Sequence, residues 1–422
     1  MNLIENTLSL ANFAKSKPKF GLVIPVWSSP RGHECGSKIA FIYYRTETED
    51  GIINFSHIDA GTVPRFDFGR FCNEDTLVLG NRYVSTNGLD YEWVYFEEYG
   101  KPFVFAEFVE SVYRGYRSNF NELNDCIPLM KWYETLRTIP DIKTRKDWYR
   151  HYSDSITELG RLEGAGVKVE VEKFIDNFGF DAQYIHNGIV YTKYNPYTVT
   201  GRPSNRHLNV NYSALNKGDG SRESMVSRFG GGTLIGFDFE SYHIRIIGKL
   251  VGYGFPEGVT AHEHLASYYG VDAEAAKAIT FTYLYGGITD EVKDIPFFQK
   301  VAAWLDGMWA RFVVSGNLTT PLFKRQIHFT RIESPTKQKV FNYLLQALET
   351  EINYRKIGEL NRMMKGMKSK PILYTYDAFL IDTEPTERDR VLDEVQSLLE
   401  VGGFPVRMYE GNNYNNLEVL SF

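Results

Sequence analysis

The stretch Thr233-Leu-Ile-Gly-Phe-Asp238-Phe-Glu240-Ser-Tyr-His243-Ile-Arg245 decides the fold. A β-prone apolar run ends in Asp238, and the apolar spacing from Ile244 onward is that of an amphipathic helix. A carboxylate at such a strand-to-helix corner is held by rigid elements and opens onto solvent. It suits a divalent cation, because Mg²⁺ takes one or two carboxylates and completes its shell with water and phosphate. The alternative at this point is that Asp238 only caps the helix.

Composition limits the classes of protein to consider. The 422 residues have room for two or three domains, and 43% hydrophobic with 24% charged residues is typical of a soluble globular protein. The net charge of −6 excludes a basic footprint over the whole surface, although one cleft can still be positive. Three isolated cysteines, Cys35, Cys72 and Cys126, favour a reducing compartment over a zinc or disulfide framework. With no leader pattern and no apolar run of roughly 18 residues, we expect a cytoplasmic protein without membrane contact.

A second aspartate stands in a comparable setting near the end of the chain. Asp377 separates two β-prone apolar runs, 371–376 and 378–382, which together read as a hairpin. Two carboxylates on adjacent strands can bind a pair of divalent cations and so support displacement at phosphorus. Taken alone, Asp377 is also explained as an ordinary turn residue.

Between the two aspartates lies a helical stretch that carries a cation and two aromatic rings. Lys277, Phe281 and Tyr285 recur every four residues and therefore share one face of the helix. An ammonium group followed by two rings suits a nucleoside triphosphate, with the charge on the phosphates and a ring against the base. The alternative is a core stripe with a lysine that reaches back to solvent.

Elsewhere the apolar periodicity predicts further elements of both kinds. Strands are expected over 20–27 and 39–44, and helices over 259–270, 272–286, 295–315, 334–365 and 385–400. The sequence therefore predicts a mixed α/β protein.

The order of these pieces resembles the palm and fingers of family-A DNA polymerases, the bacterial polymerase I type, over roughly residues 155 to 422. Strand–Asp–helix resembles motif A, Lys-x-x-x-Phe-x-x-x-Tyr-Gly resembles motif B, and hairpin–Asp resembles motif C. The matching segments are Thr200-Gly-Arg202-Pro-Ser-Asn205, Asp238 to Arg245, Lys277 to Gly286, Asn342-Tyr-Leu-Leu-Gln346, Tyr376-Asp377-Ala378 and Gly411-Asn-Asn-Tyr414.

The resemblance implies a template-directed DNA polymerase that uses two Mg²⁺ ions, or Mn²⁺ in their place, and deoxynucleoside triphosphates. Asp238, Asp377 and the backbone carbonyl of Phe239 would hold the metal ions. Lys277, a catalytic residue in the family, and His262 would neutralise the triphosphate. Phe281 and Tyr285 would pack on the nascent base pair.

The resemblance also implies contacts with primer–template DNA. Arg202 would hold the DNA backbone, while Asn342 and Gln346 would touch the minor groove, which positions the duplex without reading its sequence. Tyr376 stands at the primer-terminus position, where the family has a histidine.

Three departures from the family pattern bear on function. The glutamate that crowds the sugar 2′ position in the family is His243 here, so we expect retained but altered sugar selectivity. Motif B opens with Ala273 in place of an arginine, which removes one phosphate contact. Motif C has Ala378 in place of a glutamate and keeps only the essential aspartate.

The resemblance further predicts the domain organisation. An N-terminal α/β domain would occupy residues 1–130, and a polymerase domain 131–422, with the palm at about 155–252 and 330–422 and the fingers at about 253–330. Residues 1–130 would be a docking domain or a degenerate, RNase-H-like exonuclease, inactive because the strand over 20–27 carries no Asp-x-Glu.

Only about twenty residues separate Val169 from Tyr191, where the family has its long helical thumb. We therefore expect a vestigial thumb, weak binding of duplex DNA and a processivity or replisome partner. Such a reduced chain suggests a phage enzyme acting in the host cytoplasm. Two alternatives stay open: a single-subunit RNA polymerase or primase-like enzyme with relaxed sugar selectivity, and a catalytically inactive polymerase relative that serves as a nucleic-acid-binding scaffold.

Overall fold

The structure, a computed structural model, describes residues 2–28, 38–55, 61–64, 71, 77–78, 104–105, 155, 158–196 and 198–420. The chain forms two compact units. The first comprises Met1–Tyr197 and Pro203–Met225, and the second comprises Thr198–Arg202 and Val226–Phe422. The three cysteines and the domain boundary predicted near residue 130 lie outside the described residues.

The first unit begins with a six-stranded mixed sheet of order β1-β4-β3-β2-β5-β6. Its elements are β1 (Asn2–Ile4), α1 (Thr7–Lys15), β2 (Leu22–Ser28), β3 (Lys38–Arg45), β4 (Asp50–Asn54), β5 (Leu77–Val78) and β6 (Val104–Phe105). The rings of Phe13, Phe20, Tyr44 and Phe71 pack together within centroid distances of 4.8 to 6.1 Å. This aromatic cluster ties α1 to the sheet, because large buried rings contribute most of the apolar area in a small core.

The rest of the first unit consists of short elements. These are β7 (Val167–Lys168), α2 (Val171–Phe178), β8 (Ile189–Val190), β9 (Tyr194–Asn195), β10 (Ser204–His207) and β11 (Val210–Asn211), with 3₁₀ turns at Ala182–Tyr184 and Tyr212–Ala214. Between Val169 and Tyr191, where the shortened thumb was predicted, the chain forms α2, one 3₁₀ turn and β8.

The second unit is built on a five-stranded antiparallel sheet of order β15-β16-β12-β17-β18. The strands are β12 (Thr233–Phe239), β15 (Lys370–Thr375), β16 (Ala378–Thr383), β17 (Val406–Gly411) and β18 (Glu418–Val419), and a separate hairpin pairs β13 (Asn317–Thr319) with β14 (Gln326–His328). β12 is apolar almost throughout because it lies inside the sheet, where Leu234 to Phe237 are all buried.

Six helices accompany this sheet in the second unit. They are α3 (Tyr242–Val251), α4 (Ala261–Tyr269), α5 (Ala273–Gly286), α6 (Pro296–Ser315), α7 (Lys337–Met363) and α8 (Arg388–Glu400), with 3₁₀ turns at Phe329–Arg331 and Pro385–Glu387. Local signals set their ends. Thr260 and Glu263 form a capping box at the start of α4, and Pro296 opens α6, which ends before Gly316 at φ 66°.

The longest helix, α7, lies at the centre of the second unit and packs against α3, α5, α6 and α8. Its buried residues include charged and amide side chains as well as apolar ones, namely Glu349, Glu351, Asn353 and Lys356. Polar groups at such buried positions must find partners inside the protein. The contacts of these side chains shape the site described below.

The helices and the hairpin predicted over 259–400 are present within a few residues of their expected ends, and the predicted mixed α/β class is confirmed. No helix in the described part of the chain combines the length and the apolar content needed to cross a membrane.

Candidate active site

Asp238 and Asp377 lie on neighbouring strands of the second unit. Asp238 is paired with Ala378 in the antiparallel register of β12 and β16, and the Phe239 N–H donates to the carbonyl oxygen of Asp377 over 2.9 Å. The backbone ladder itself therefore brings together Asp238 and Asp377, which are 139 positions apart in the chain. Both side chains line one cavity of about 450 Å³.

The capping alternative for Asp238 is wrong. The residue that precedes α3 is Ser241, which is left-handed at φ 52° and makes no side-chain capping bond. Asp238 belongs to the strand, three residues before that cap.

Asp377 does lie in a turn, as its alternative interpretation held, but its carboxylate also lines the cavity. The preceding residue, Tyr376, has φ 64°. A left-handed conformation costs a residue other than glycine on the order of 1 kcal/mol. Such strain persists where the surrounding structure fixes the turn, and here the neighbouring strands and α7 do so.

α5 presents its predicted face beside the carboxylates. The core side of the helix is Ala276, Thr280 and Leu284, one position before each member of the predicted set. Lys277 is exposed, while Phe281 and Tyr285 are half-buried, and their rings stack at 5.5 Å with an interplanar angle of 5°. The core-stripe alternative is therefore wrong, because a different face of α5 is buried.

His262, on α4, also lines the cavity, and its ring lies 6.0 Å from that of Phe281. Burial, and then the charge of Lys277, lower the pKa of His262 to about 4. The imidazole is therefore neutral at neutral pH, contrary to the expectation that it helps Lys277 to neutralise a triphosphate. A neutral ring supplies a hydrogen bond, and Lys277 supplies the charge.

His243 projects from the first turn of α3 and is contacted at both ring nitrogens. Its Nδ1 lies 3.0 Å from the Tyr285 hydroxyl. Burial, and then the charge of Glu349, raise the pKa of Tyr285 to about 12. The Nε2 of His243 lies 3.3 Å from Glu349 Oε2.

Arg202 reaches the same carboxylate from the Thr198–Arg202 segment of the second unit. Its Nε lies 3.3 Å from Glu349 Oε2, and its guanidinium stacks at 3.7 Å over the ring of Tyr376. The segment is anchored from behind. Arg325 donates to the carbonyls of Thr198 and Val199 over 2.6 and 3.0 Å, and the Tyr354 hydroxyl donates to the Gly201 carbonyl.

Asn353, fully buried on α7, connects the two carboxylate-bearing segments. Its amide donates to the Tyr376 carbonyl over 2.6 Å and to the Tyr374 hydroxyl over 3.1 Å. Its side-chain oxygen accepts from the Tyr242 hydroxyl over 2.7 Å. One side chain thus fixes both the turn before Asp377 and the start of α3.

Asn342 and Gln346 are half-exposed, one turn apart on α7, and Gln346 Nε2 lies 3.5 Å from Asn342 Oδ1. They do not line the cavity. Tyr285 and Tyr376 do not line it either, but Tyr285 contacts His243 and Phe281, and Tyr376 stacks on Arg202. The other predicted residues do: Arg202, Asp238, Phe239, His243, His262, Lys277, Phe281 and Asp377.

The donors at the cavity can be tested for their fit to a divalent cation. Removal from water, and then the charge of Glu349, raise the pKa of Asp377, so negative charge is crowded there and a cation would relieve it. Within the described ranges, no three His, Cys, Asp or Glu side chains form a complete metal site. Two carboxylates that leave most of the shell to water and phosphate suit Mg²⁺.

Sequence reasoning missed three residues of this region. Glu349 and Asn353 lie on α7, and Arg407, which lines the cavity, pairs with Glu240 over 2.8 Å. The only sequence signal for Glu349 is a carboxylate three positions after Gln346, on the next turn of the same helix.

No protein-family model and no curated protein matches the sequence. Among solved structures, the chain is similar to the POL domain of Pol1 from M. smegmatis, determined in complex with DNA primer-template and dNTP. The TM-score is 0.68 at 12% sequence identity, over 99% of this chain and 100% of that one. At this identity the likeness shows the fold alone, and the chain has the fold of a DNA polymerase domain.

Proposed function

We propose that the protein is a template-directed DNA polymerase that adds deoxynucleoside triphosphates to a primer 3′ end. The observation that carries the proposal is the cavity at which Asp238 and Asp377, from paired strands, face Lys277 and Phe281 of α5. Two carboxylates opposite a cation and a ring suit the phosphates and the base of one nucleotide. The shared fold with a polymerase domain adds support.

In this proposal Asp238 and Asp377 hold two Mg²⁺ ions, with the Phe239 carbonyl as a further ligand. When bound, such a pair stabilises the attacking and leaving oxygens of an in-line displacement. Lys277 binds the triphosphate by its charge, and His262 by a hydrogen bond. Phe281 and Tyr285 pack against the base pair that is being formed.

The DNA contacts proposed for the second unit are of two kinds. Asn342 and Gln346 present amide groups on the exposed side of α7, where minor-groove acceptors would meet them. Arg202 would hold the DNA backbone, and Tyr376, on which its guanidinium stacks, would contact the primer terminus.

The finer assignments follow from the resemblance and are proposed with it: membership of family A, a phage origin, a vestigial thumb, the palm and fingers boundaries, a cytoplasmic location and an inactive exonuclease-like domain at 1–130. A thumb reduced to α2 and its 3₁₀ turn would neutralise few phosphates, so a processivity partner belongs to the proposal. Long products from single binding events of the isolated chain would contradict that partner.

Primer extension with Mg²⁺, run with deoxynucleotides and ribonucleotides side by side, tests the function directly. The proposal expects extension with deoxynucleotides. Efficient extension with ribonucleotides alone would favour the RNA polymerase or primase-like alternative. DNA binding without extension, under every metal and nucleotide condition, would favour the inactive scaffold.

A further inference from the structure

Glu349 is a buried carboxylate at the centre of the cavity's polar contacts. Its side chain is only 2% exposed. Its Oε2 atom lies 3.3 Å from both His243 Nε2 and Arg202 Nε. All three atoms are buried and lack a partner in hydrogen-bond geometry. Buried polar atoms are seldom left in that state, so their grouping around one carboxylate calls for an explanation.

Glu349 is one of the residues around the cavity, but its carboxylate offers a bound substrate almost no surface. At 2% exposure it is far less accessible than His243 and Arg202, whose side chains are 18% and 28% exposed. A bound nucleotide would therefore meet these two side chains before the carboxylate.

The contacts of Glu349 hold the imidazole in one place. The Tyr285 hydroxyl binds one ring nitrogen and the carboxylate faces the other. Turning the ring away would take one polar neighbour from a carboxylate that is almost fully buried, which is unfavourable. The ring is therefore a rigid obstacle at the edge of the cavity.

We propose that Glu349 is a positioning residue for sugar selection, because it holds His243 where the 2′-hydroxyl of a ribonucleotide would collide with the ring. This inference rests on the proposed polymerase function. Glu349 comes from α7, outside the strand-to-helix stretch that carries His243, so the obstacle and its support lie on separate elements.

The test measures kcat/KM for one deoxynucleotide and for the matching ribonucleotide in single-nucleotide primer extension. The variants are Glu349→Gln, His243→Ala and the double substitution. The native chain should prefer the deoxynucleotide. Glu349→Gln should reduce that preference about 10-fold, mainly through a lower KM for the ribonucleotide. A general loss of rate through Arg202 would affect both nucleotides and cancel in the ratio.

The double variant decides whether Glu349 acts through His243. In the His243→Ala background, Glu349→Gln should change the preference by less than about 2-fold. An equal reduction in both backgrounds would overturn the inference, as would an unchanged preference in the single Glu349 variant.

Glu351→Gln is the matched control. Glu351 is equally buried on the same helix, but it accepts from the Thr320 hydroxyl and the Phe323 N–H and does not line the cavity. It should lower the melting temperature and leave the sugar preference unchanged. A native chain that uses both sugars equally would overturn the inference alone, whereas a native chain that extends no primer would overturn the polymerase function as well.

Discussion

Two sides of the cavity in the second unit are constructed differently. The carboxylate floor consists of Asp238 and Asp377 on β12 and the β15–β16 turn, where backbone pairing and Asn353 fix both segments. The helical wall consists of Lys277 and Phe281 on one face of α5, with Tyr285 stacked on Phe281 behind them. The floor is fixed by main-chain pairing and buried polar groups, whereas the wall is formed mostly by half-exposed side chains.

Because of this difference, we expect substitutions in the floor and in the wall to have different effects on the stability of the protein and on nucleotide binding. A change in the floor's supports should disturb folding and chemistry together, since a ladder register cannot shift locally without moving every side chain on the strand. A change at the exposed end of the wall should alter nucleotide binding and leave folding almost untouched.

The largest effect is expected from Asp238→Ala and Asp377→Ala. Each should lower primer extension by about 10³-fold or more, because the charge that holds the metal ions is lost. Neither should lower the melting temperature much. Asp377→Asn should be about as stable as the native chain at neutral pH, since loss of hydration and then the charge of Glu349 already raise the pKa of Asp377. Unchanged extension in either alanine variant would refute the metal assignment.

Asn353→Leu tests the support of the floor. It leaves the Tyr376 carbonyl and the Tyr242 and Tyr374 hydroxyls without their buried partner, so unfolding in urea should show a loss of about 2–4 kcal/mol. Asn342→Ala, half-exposed on the same helix, should stay within about 0.5 kcal/mol of the native chain. Equal stabilities for the two variants would show that Asn353 does not connect the two carboxylate-bearing segments.

Lys277→Ala tests the wall. The side chain is exposed, so the free energy of unfolding should change by less than about 0.5 kcal/mol. The KM for a deoxynucleoside triphosphate should rise about 10- to 100-fold, because a phosphate-binding charge is gone. Lys277→Arg keeps the charge and should lose less. An unchanged KM would mean that the wall does not bind the triphosphate.

His262→Gln gives the smallest effect and a pH-dependent one. The pKa of His262 is about 4 in the folded chain and near 6.5 when unfolded, so the unfolded chain binds the proton more readily. Native stability should therefore fall as pH drops from about 6.5 to 4, by on the order of 1–2 kcal/mol from this residue after allowance for solvent screening. The variant should therefore lose less stability than the native chain over this pH range. The result is read as the difference between the two stability curves, because burial also lowers the pKa of His264, which contributes to both curves. Parallel stability curves for the native chain and the variant would contradict the lowered pKa of His262.

The sequence predicted the elements well where one face of a periodic segment is buried. α5 was expected over 272–286 and spans Ala273–Gly286, because its cap, its good helix formers and its glycine stop agree. The hairpin around Asp377 was equally clear, since two apolar runs flank one polar position.

The supports of the site could not be predicted in the same way. Glu349 and Asn353 lie on α7, whose buried positions carry polar as well as apolar residues, so no separate polar face identifies them. Their partners are distant in sequence: Glu349 contacts Arg202 and His243, and Asn353 contacts Tyr376. A buried glutamate in a helix looks like a surface residue until the neighbouring elements are in place.

The Thr198–Arg202 segment has a practical consequence for anyone who wishes to divide the protein. It belongs to the second unit, while the chain on either side of it belongs to the first. No single cut of the polypeptide therefore releases the second unit with Arg202 attached, and a fragment that starts at Val226 would lack that guanidinium. An isolated catalytic half would have to be assembled from two co-expressed pieces or from a chain whose ends have been rearranged.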